Sequence, residues 1–443
     1  MAAMLRGSVR VAALLGCTAC LPAAQTSKSA EESTLLEAVA RAEKAGNARL
    51  AAVQNQQLGA LYYHDSRFVE AEAMFRRALE ELERPPESKA DLGTTLNNLG
   101  AVCSILGKYS DAEKYLLRAL RIREESEGGM GPETAATLGN LGSMYRKLGR
   151  DDEAEPLLRR ALALREQTAG PDSKEAATVK NGLGDLYGSA GRYHEAERLF
   201  KEALAVRERL LGPDHPSVAS VLNNLGQLYR AQDQLARAEE LHRRALAIRE
   251  KALGPDQLDT AVSVHNLGGV FEQEGRYAEA AEMYRRALGI KEKVLGPTHP
   301  EAAVEWNHLA LIACQEKRFD EAEAGFLKAL GIWERGLSPS HPRVADAAHN
   351  LAVNYAKKKR YDEALPWFER AISIWEKDRK AYPKLAFGLH NYAMTLKKAG
   401  HKQAAALSEA RSKTIVANHP EIQMARATVD IRDLQSATNF RPR

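Results

Sequence analysis

The sequence predicts an all-α chain organised as a solenoid of about nine helix hairpins, and three observations lead there. A small residue returns at Gly59, Gly100, Gly142, Gly184, Gly226, Gly268, Ala310, Ala352 and Ala393, in steps of 41, 42, 42, 42, 42, 42, 42 and 41 residues. Twelve residues after each stands an alanine, from Ala71 to Ala405, and nineteen after stands another, from Ala78 to Ala371, with Ser412 alone departing. Ala, Leu, Glu and Arg abound while aromatic residues make up only 6% of the chain, a composition that favours helix. Three columns held in register over nine copies mark a repeat array.

The elements follow in order. Residues 1–24 carry two arginines, then the apolar run "VAALLGCTACLPAA", then polar residues, which is the order of a secretory signal peptide too short to span a membrane. Two readings of its processing stay open: cleavage near Ala24, or a lipobox-like "LLGC" in which Cys17 becomes a lipidated first residue. Nothing else is apolar enough to cross a bilayer, so the expected location is exported: periplasmic, secreted or lipid-anchored to the envelope, with cytoplasmic as the alternative. Residues 25–46 read as a linker and N-terminal capping helix, 47–412 as nine repeats, and 413–443 as a tail that leaves the pattern; its "TVDIRDL" alternates like a short strand.

Each repeat reads as two helices. In the first, Leu222, Leu225 and Tyr229 fall at i, i+3 and i+7 on one helical face. A turn such as "SAGR" or "QEGR" leads into a longer second helix, with Leu241, Ala245 and Ile248 on one side and Glu and Arg on the other. Gly254 ends that helix and Pro255 prevents its continuation. Pro132, Pro216, Pro300, Pro342 and Pro383 each start a first helix, where a missing N–H costs nothing. The small columns let helix backbones approach to the near end of the usual ~8–10 Å range. The aromatic residues Tyr145, Tyr187, Tyr229, Phe271 and Tyr355, with Phe200, Tyr284 and Phe368 from second helices, fill what remains.

"LNNLGQLYRAQDQLARAEELHRRALAIREKALGPDQ" resembles a tetratricopeptide repeat in the 42-residue version found in kinesin light chains, and the likeness covers about 47–412. It implies a right-handed superhelical solenoid whose inner surface, lined by first helices, binds other proteins, and inner-face asparagines that clamp peptide backbones. Kinesin light chains also carry an N-terminal coiled-coil region that binds the motor; this chain has a signal-like segment there instead.

The candidate ligand contacts are the polar columns of the first helices. Two residues before the small one stand Asn98, Asn140, Asn224, Asn266, Asn350 and Asn391; one position earlier stand Asn181 and Asn223. Asparagine is a mediocre helix former, and its carboxamide can donate to and accept from an extended backbone. The bland alternative is bonding between adjacent repeats. Past the small residue, Arg146, Lys147, Arg230, Lys357, Lys397 and Lys398 suggest a basic stripe suited to an acidic peptide, opposed in its columns only by Glu272; the alternative is cations settling near helix C-termini.

The remaining classes find little support. His265, His308, His349 and His390 lie on separate helices with no carboxylate recurring beside them, so no metal site is expected, and His215, His299 and His341 precede the N1 proline as caps. Four cysteines make no disulfide framework. The formal charge of +4 is small and evenly spread, which argues against a nucleic-acid or membrane-surface partner. There is no G-x-S-x-G, no phosphate loop and no H-E-x-x-H, so no enzyme, cofactor or small-molecule substrate is expected. The expected function is a scaffold binding an extended segment of a protein partner in its groove. The competing reading is a structural part of an envelope complex that binds through outer helix surfaces.

Overall fold

The computed structural model describes residues 24–65, 67–83, 89–377 and 381–418, which form nineteen helices and no strand. The chain divides into two compact units, Met1–Pro255 and Asp256–Arg443. The first opens with a single helix, α1 (Ala24–Lys44), followed by hairpins α2/α3 (Ala48–His64, Phe68–Leu82), α4/α5 (Lys89–Ile105, Tyr109–Glu127), α6/α7 (Pro132–Lys147, Asp151–Ala169), α8/α9 (Lys174–Ser189, Tyr193–Leu211) and α10/α11 (Pro216–Ala231, Leu235–Leu253). The second contains α12/α13 (Leu258–Gln273, Tyr277–Leu295), α14/α15 (Pro300–Gln315, Phe319–Gly336), α16/α17 (Pro342–Lys357, Tyr361–Trp375) and α18/α19 (Tyr382–Lys398, Lys402–Asn418). Asn47 caps α2, its side chain accepting from the Leu50 backbone N–H. Residues 413–418, assigned to the tail, continue α19; "TVDIRDL" and Cys17 lie outside the described residues.

The small column has a steric cause. A Cβ on Gly100 would stand 2.6 Å from Leu116 Cγ, on Gly142 2.7 Å from Leu158 Cγ, and on Gly184 2.8 Å from Phe200 Cε1. The clash is always with the second-helix side chain sixteen residues on. Where the column turns to alanine at Ala310, the glycine moves across the interface: a Cβ on Gly325 would meet Ala310 Cβ at 2.8 Å. The alanines of the second helices, such as Ala112, Ala154, Ala196 and Ala280, have no exposed surface.

The turn inside each hairpin demands a left-handed residue. Glycine supplies it at Gly149, Gly191 and Gly275, while Asp233, Lys317 and Lys359 adopt it at φ of 60–63° despite their side chains. Pro132, Pro216, Pro300 and Pro342 are the first residues of their helices. Before the last three, His215, His299 and His341 accept a hydrogen bond at Nδ1 from the backbone N–H two residues on, at 3.1, 3.2 and 3.1 Å. That role requires neutral imidazole. Burial is the main cause that lowers the pKa of all three.

A polar clamp repeats between hairpins. Tyr145, Tyr187, Tyr229 and Tyr355 each donate from the hydroxyl to a glutamate of the preceding second helix, Glu113, Glu155, Glu197 and Glu323, at 2.7–3.0 Å. An arginine five residues after the tyrosine covers its ring in three of these: Arg150, Arg192 and Arg360 lie 4.1, 3.8 and 4.8 Å from the centroid. The same arginines pair with the same glutamates. Where the glutamate is missing, at Ala281 and Leu365, the next repeat carries Ala313 and Leu396 in place of tyrosine. The dependence runs one way: no tyrosine stands opposite a missing glutamate, because a hydroxyl without an acceptor is costly, while Glu72 and Glu239 are kept opposite Cys103 and Phe271.

Candidate groove for an extended peptide

Within each unit the first helices of successive hairpins lie side by side: α2, α4, α6, α8 and α10 in the first, α14, α16 and α18 in the second. The asparagines form rungs between them. Asn140 Nδ2 donates to Asn97 Oδ1 at 3.0 Å, Asn224 Nδ2 to Asn181 Oδ1 at 3.2 Å, and Asn350 Nδ2 to Asn307 Oδ1 at 3.2 Å. In the last rung Asn391 Nδ2 lies 3.2 Å from His349 Nε2. Each rung joins the position two before the small residue to the position three before it in the preceding hairpin.

These bonds are the ones the alternative reading named, amides bonding between adjacent repeats. Asn391 has no exposed surface, Asn350 is 3% exposed, and Asn140, Asn223 and Asn266 are also buried. A carboxamide enclosed between two helices needs a partner, since leaving it unpaired costs ~1–3 kcal/mol, and the nearest is the carboxamide of the next repeat. Asn223 faces His242 instead, Oδ1 to Nδ1 at 2.9 Å. Asn98, Asn181 and Asn224 remain half-buried.

The structure brings Asn98 and Asn140 together at one opening. A pocket in the first unit is lined by Ala60, Tyr63, Phe75 and Ala101 together with Asn97, Asn98 and Asn140. None of these seven residues is charged. Burial pushes the Tyr63 hydroxyl up to about 12, so it stays neutral. Asn98 Nδ2 is buried there with no partner. The ladder then breaks: the next rung would join Gly139 to Gly182, and a Cβ on Gly139 would meet nothing within 4 Å. Mid-helix glycine costs ~1 kcal/mol against alanine, and here no steric demand explains it.

The basic stripe is thinner than its sequence suggests. Arg146 Nη2 pairs with Asp185 at 2.9 Å, a carboxylate on the neighbouring first helix that the column reading overlooked. Arg230 donates to Gln227 at 2.8 Å, and Lys357 approaches Gln315 Oε1 at 3.5 Å. Lys147, Lys397 and Lys398 are exposed.

The histidines also need correcting, because three of the four have carboxylate partners. His265 Nδ1 is 3.0 Å from Glu305, His308 Nδ1 3.0 Å from Glu272, and His390 Nδ1 2.8 Å from Glu409. His349 is enclosed instead by Phe368, Trp375 and Phe387, with ring centroids 5.4–5.7 Å away. Among the described residues no group of three or more His, Cys, Asp or Glu side chains is arranged to hold a metal ion.

Sequence reasoning also missed a buried cationic column at the ends of the second helices: Arg123, Arg165, Arg207, Arg249 and Lys291, continued by Trp333 and Trp375. Arg207 Nη1 donates to the Ser217 carbonyl at 2.7 Å, tying a second helix to the start of the following hairpin, and Trp333 Nε1 donates to the Pro300 carbonyl at 2.9 Å, tying its helix to the start of its own hairpin. Its 42-residue spacing was visible in "ALAVRERL" and "ALAIREKA", where the arginine looks solvent-facing.

Comparison with known proteins places this geometry. The tetratricopeptide repeat model matches residues 49–125, 91–167, 133–209, 175–251, 230–293, 300–377 and 344–415. No curated protein matches the sequence. Among solved structures, a Rap protein complexed with Competence and Sporulation Factor is 16% identical with a TM-score of 0.57, covering 84% of this chain and 99% of that one. A signal-transduction ATPase with a tetratricopeptide repeat sensor from Pyrococcus horikoshii is 15% identical with a TM-score of 0.55, covering 83% of this chain and 54% of that one. BtubC (BKLC) from P. vanneervenii is 24% identical over 51% of this chain and 91% of that one, with a TM-score of 0.43. The chain belongs to the tetratricopeptide repeat family.

Proposed function

We propose that this array is a non-enzymatic interaction scaffold that holds an extended segment of a partner protein along its first helices, anchored at the pocket of the first unit. The observation that carries this reading is Asn98 Nδ2, left without a partner while Asn98 Oδ1 accepts from Asn97, in a pocket lined by aromatic and alanine side chains. An amide donor there suits a peptide carbonyl, while the uncharged lining suits an uncharged side chain. Lys147, exposed on a first helix of the same unit, would favour an acidic residue in the segment. The signal-like N-terminus supports export, so the partner is sought in the envelope or outside the cell.

A second reading has its own support. Asn350 and Asn391 are spent on joining repeats, which suits a structural component that binds through outer helix surfaces. One experiment separates the two. The partner captured by the full chain from a native envelope fraction is titrated against Asn98→Ala with Asn140→Ala. The groove reading expects affinity to fall about tenfold or more, roughly 1.4 kcal/mol, with helix content unchanged. Unaltered affinity in a folded variant would transfer the function to the outer surfaces.

A further inference from the structure

Two departures from the repeat meet at the interface of α6 and α8. The first concerns the buried cations near the ends of the second helices. The others in that column each reach a hydroxyl or carboxylate on a flanking first helix, either 14 residues ahead or 29 residues back. Ahead, Arg123 bonds to Thr137 Oγ1 and Lys291 to Glu305 Oε1. Behind, Arg207 reaches Thr178 Oγ1 at 3.4 Å and Arg249 reaches Ser220 Oγ at 3.3 Å. For Arg165 of α7 the same two places hold Ala136 and Val179, both buried and neither able to accept. Arg165 is itself only 8% exposed, and among the described residues its guanidinium has no hydrogen bond or ion pair. Burial is the main cause that lowers its pKa, with Glu133 and Glu175 opposing through space. A guanidinium nevertheless stays charged at neutral pH.

The second departure is a missing rung. Gly139 on α6 and Gly182 on α8 stand three residues, one helical turn, beyond Ala136 and Val179. They hold the positions that amides fill on either side, in the rungs Asn97–Asn140 and Asn181–Asn224. A Cβ on Gly139 would meet nothing within 4 Å, and one on Gly182 only Leu158 Cδ2 at 4.0 Å. The row of first helices is therefore open one turn from a buried cation that has no acceptor.

We propose that this gap is a subsite for a carboxylate of the bound segment, held by Arg165. A carboxylate sets two oxygens in the plane of the guanidinium fork and takes two parallel N–H bonds. It carries a single charge, which suits a place where Glu133 and Glu175 already act on the cation; a phosphate dianion would be repelled more strongly. The side chains absent at Gly139 and Gly182 leave room for the arriving group, and the acceptors absent at Ala136 and Val179 leave the donors of Arg165 unclaimed. The inference rests on the groove reading and adds to it one position at which the segment's charge is read.

The test measures fluorescence anisotropy of labelled alanine octapeptides with the full chain. They are amidated at the C-terminus and carry a central glutamate, glutamine or phosphoserine. The glutamate peptide is expected to bind about tenfold more tightly than the glutamine one, the usual worth of hydrogen bonds to a charged group, and phosphoserine more weakly than glutamate. A glutamine peptide with a free C-terminus separates a chain end from a side chain as the source of the carboxylate. Whichever carboxylate gives the gain, Arg165→Gln should reduce it to under twofold. Val179→Thr sets a hydroxyl where Arg123 has Thr137, and should cut the glutamate preference about threefold without changing the glutamine peptide. That second variant keeps the idea open to refutation if Arg165→Gln misfolds. Equal binding of all carboxylate and glutamine peptides would leave Arg165 a solvated cation and overturn the proposal. A preference kept in folded Arg165→Gln, or unmoved in folded Val179→Thr, would overturn it too, as would tighter binding of phosphoserine or no binding of any peptide. The groove reading stands or falls separately, on the Asn98 and Asn140 variant with its captured partner.

Discussion

The two units solve the same joint with different chemistry. Between hairpins of the first unit, the end of the second helix is held by a buried guanidinium: Arg123 bonds to the Glu133 carbonyl and Arg207 to that of Ser217. In the second unit the equivalent positions pass from Lys291 to Trp333 and Trp375, and the neighbouring rungs gain His265, His308 and His349. An arginine fork supplies several directed bonds at modest buried apolar area, whereas a tryptophan supplies area and a single donor. The first unit is thus pinned by direction and the second by packing, and their responses to substitution and to pH should differ accordingly. All four tryptophans, Trp306, Trp333, Trp367 and Trp375, lie in the second unit, so their fluorescence reports on it alone.

The largest expected effect comes from removing the centre of that packing. Trp375 is 1% exposed, and a Cβ on Gly388 would stand only 2.6 Å from its Cζ3, so the indole fills its space completely. Trp375→Ala should destabilise the second unit by ~3–5 kcal/mol, the usual cost of an aromatic-to-alanine cavity. Urea unfolding followed by the remaining tryptophans measures it. A loss under ~1 kcal/mol would mean that packing does not hold this unit.

Next in size is a pH effect at His349. Burial among Phe368, Trp375 and Phe387 lowers its pKa to about 4, against ~6.5 for an exposed imidazole. The folded state therefore binds fewer protons than the unfolded state between those values, and stability rises with pH across that window. Lowering the pH from 7.5 to 5 should cost the second unit ~2 kcal/mol through this group. His349→Asn, which places a carboxamide in the rung as at Asn307, should remove most of that dependence. The partly buried caps His299 and His341 push in the same direction and set the residual slope. If the variant keeps the wild-type slope between pH 5 and 7.5, the burial argument for His349 is wrong.

These contrasts also mark how far the sequence could be read. The solenoid was legible because Gly100, Gly142 and Gly184 answer a steric demand that recurs from Gly59 to Gly268 and still asks for a small residue at Ala310, Ala352 and Ala393, and periodic demands leave periodic letters. The rungs were half legible. Asn140 and Asn97 stand 43 residues apart, one more than the period, so their pairing appears only when one column is compared with the preceding position of the repeat before. Glu305 was not legible at all: no column places a carboxylate there, since the equivalent residues are Ser263 and Ala347. Its partner His265 consequently looked unpaired. Function follows the same division, because what distinguishes one rung from the next is what the repeat does not share.

The smallest effect sharpens the comparison most closely. Tyr187→Phe removes the hydroxyl that donates to Glu155 at 3.0 Å but leaves the ring under Arg192, the arrangement that Phe271 and Arg276 already show at 4.1 Å in the second unit. Glu155 keeps Arg192 and Arg159 as partners, at 2.9 and 2.8 Å, so no buried charge is stranded. The loss should therefore be that of one hydrogen bond to a charged acceptor with its desolvation relieved, ~0.5–1.5 kcal/mol of the first unit's stability. Urea unfolding monitored by circular dichroism reads it, and the tryptophan-detected transition serves as the internal control. A shift confined to circular dichroism would place the clamp's strength in the hydroxyl. No shift in either signal would place it in the arginine stacked on the ring, and Phe271 would then be a full substitute for tyrosine.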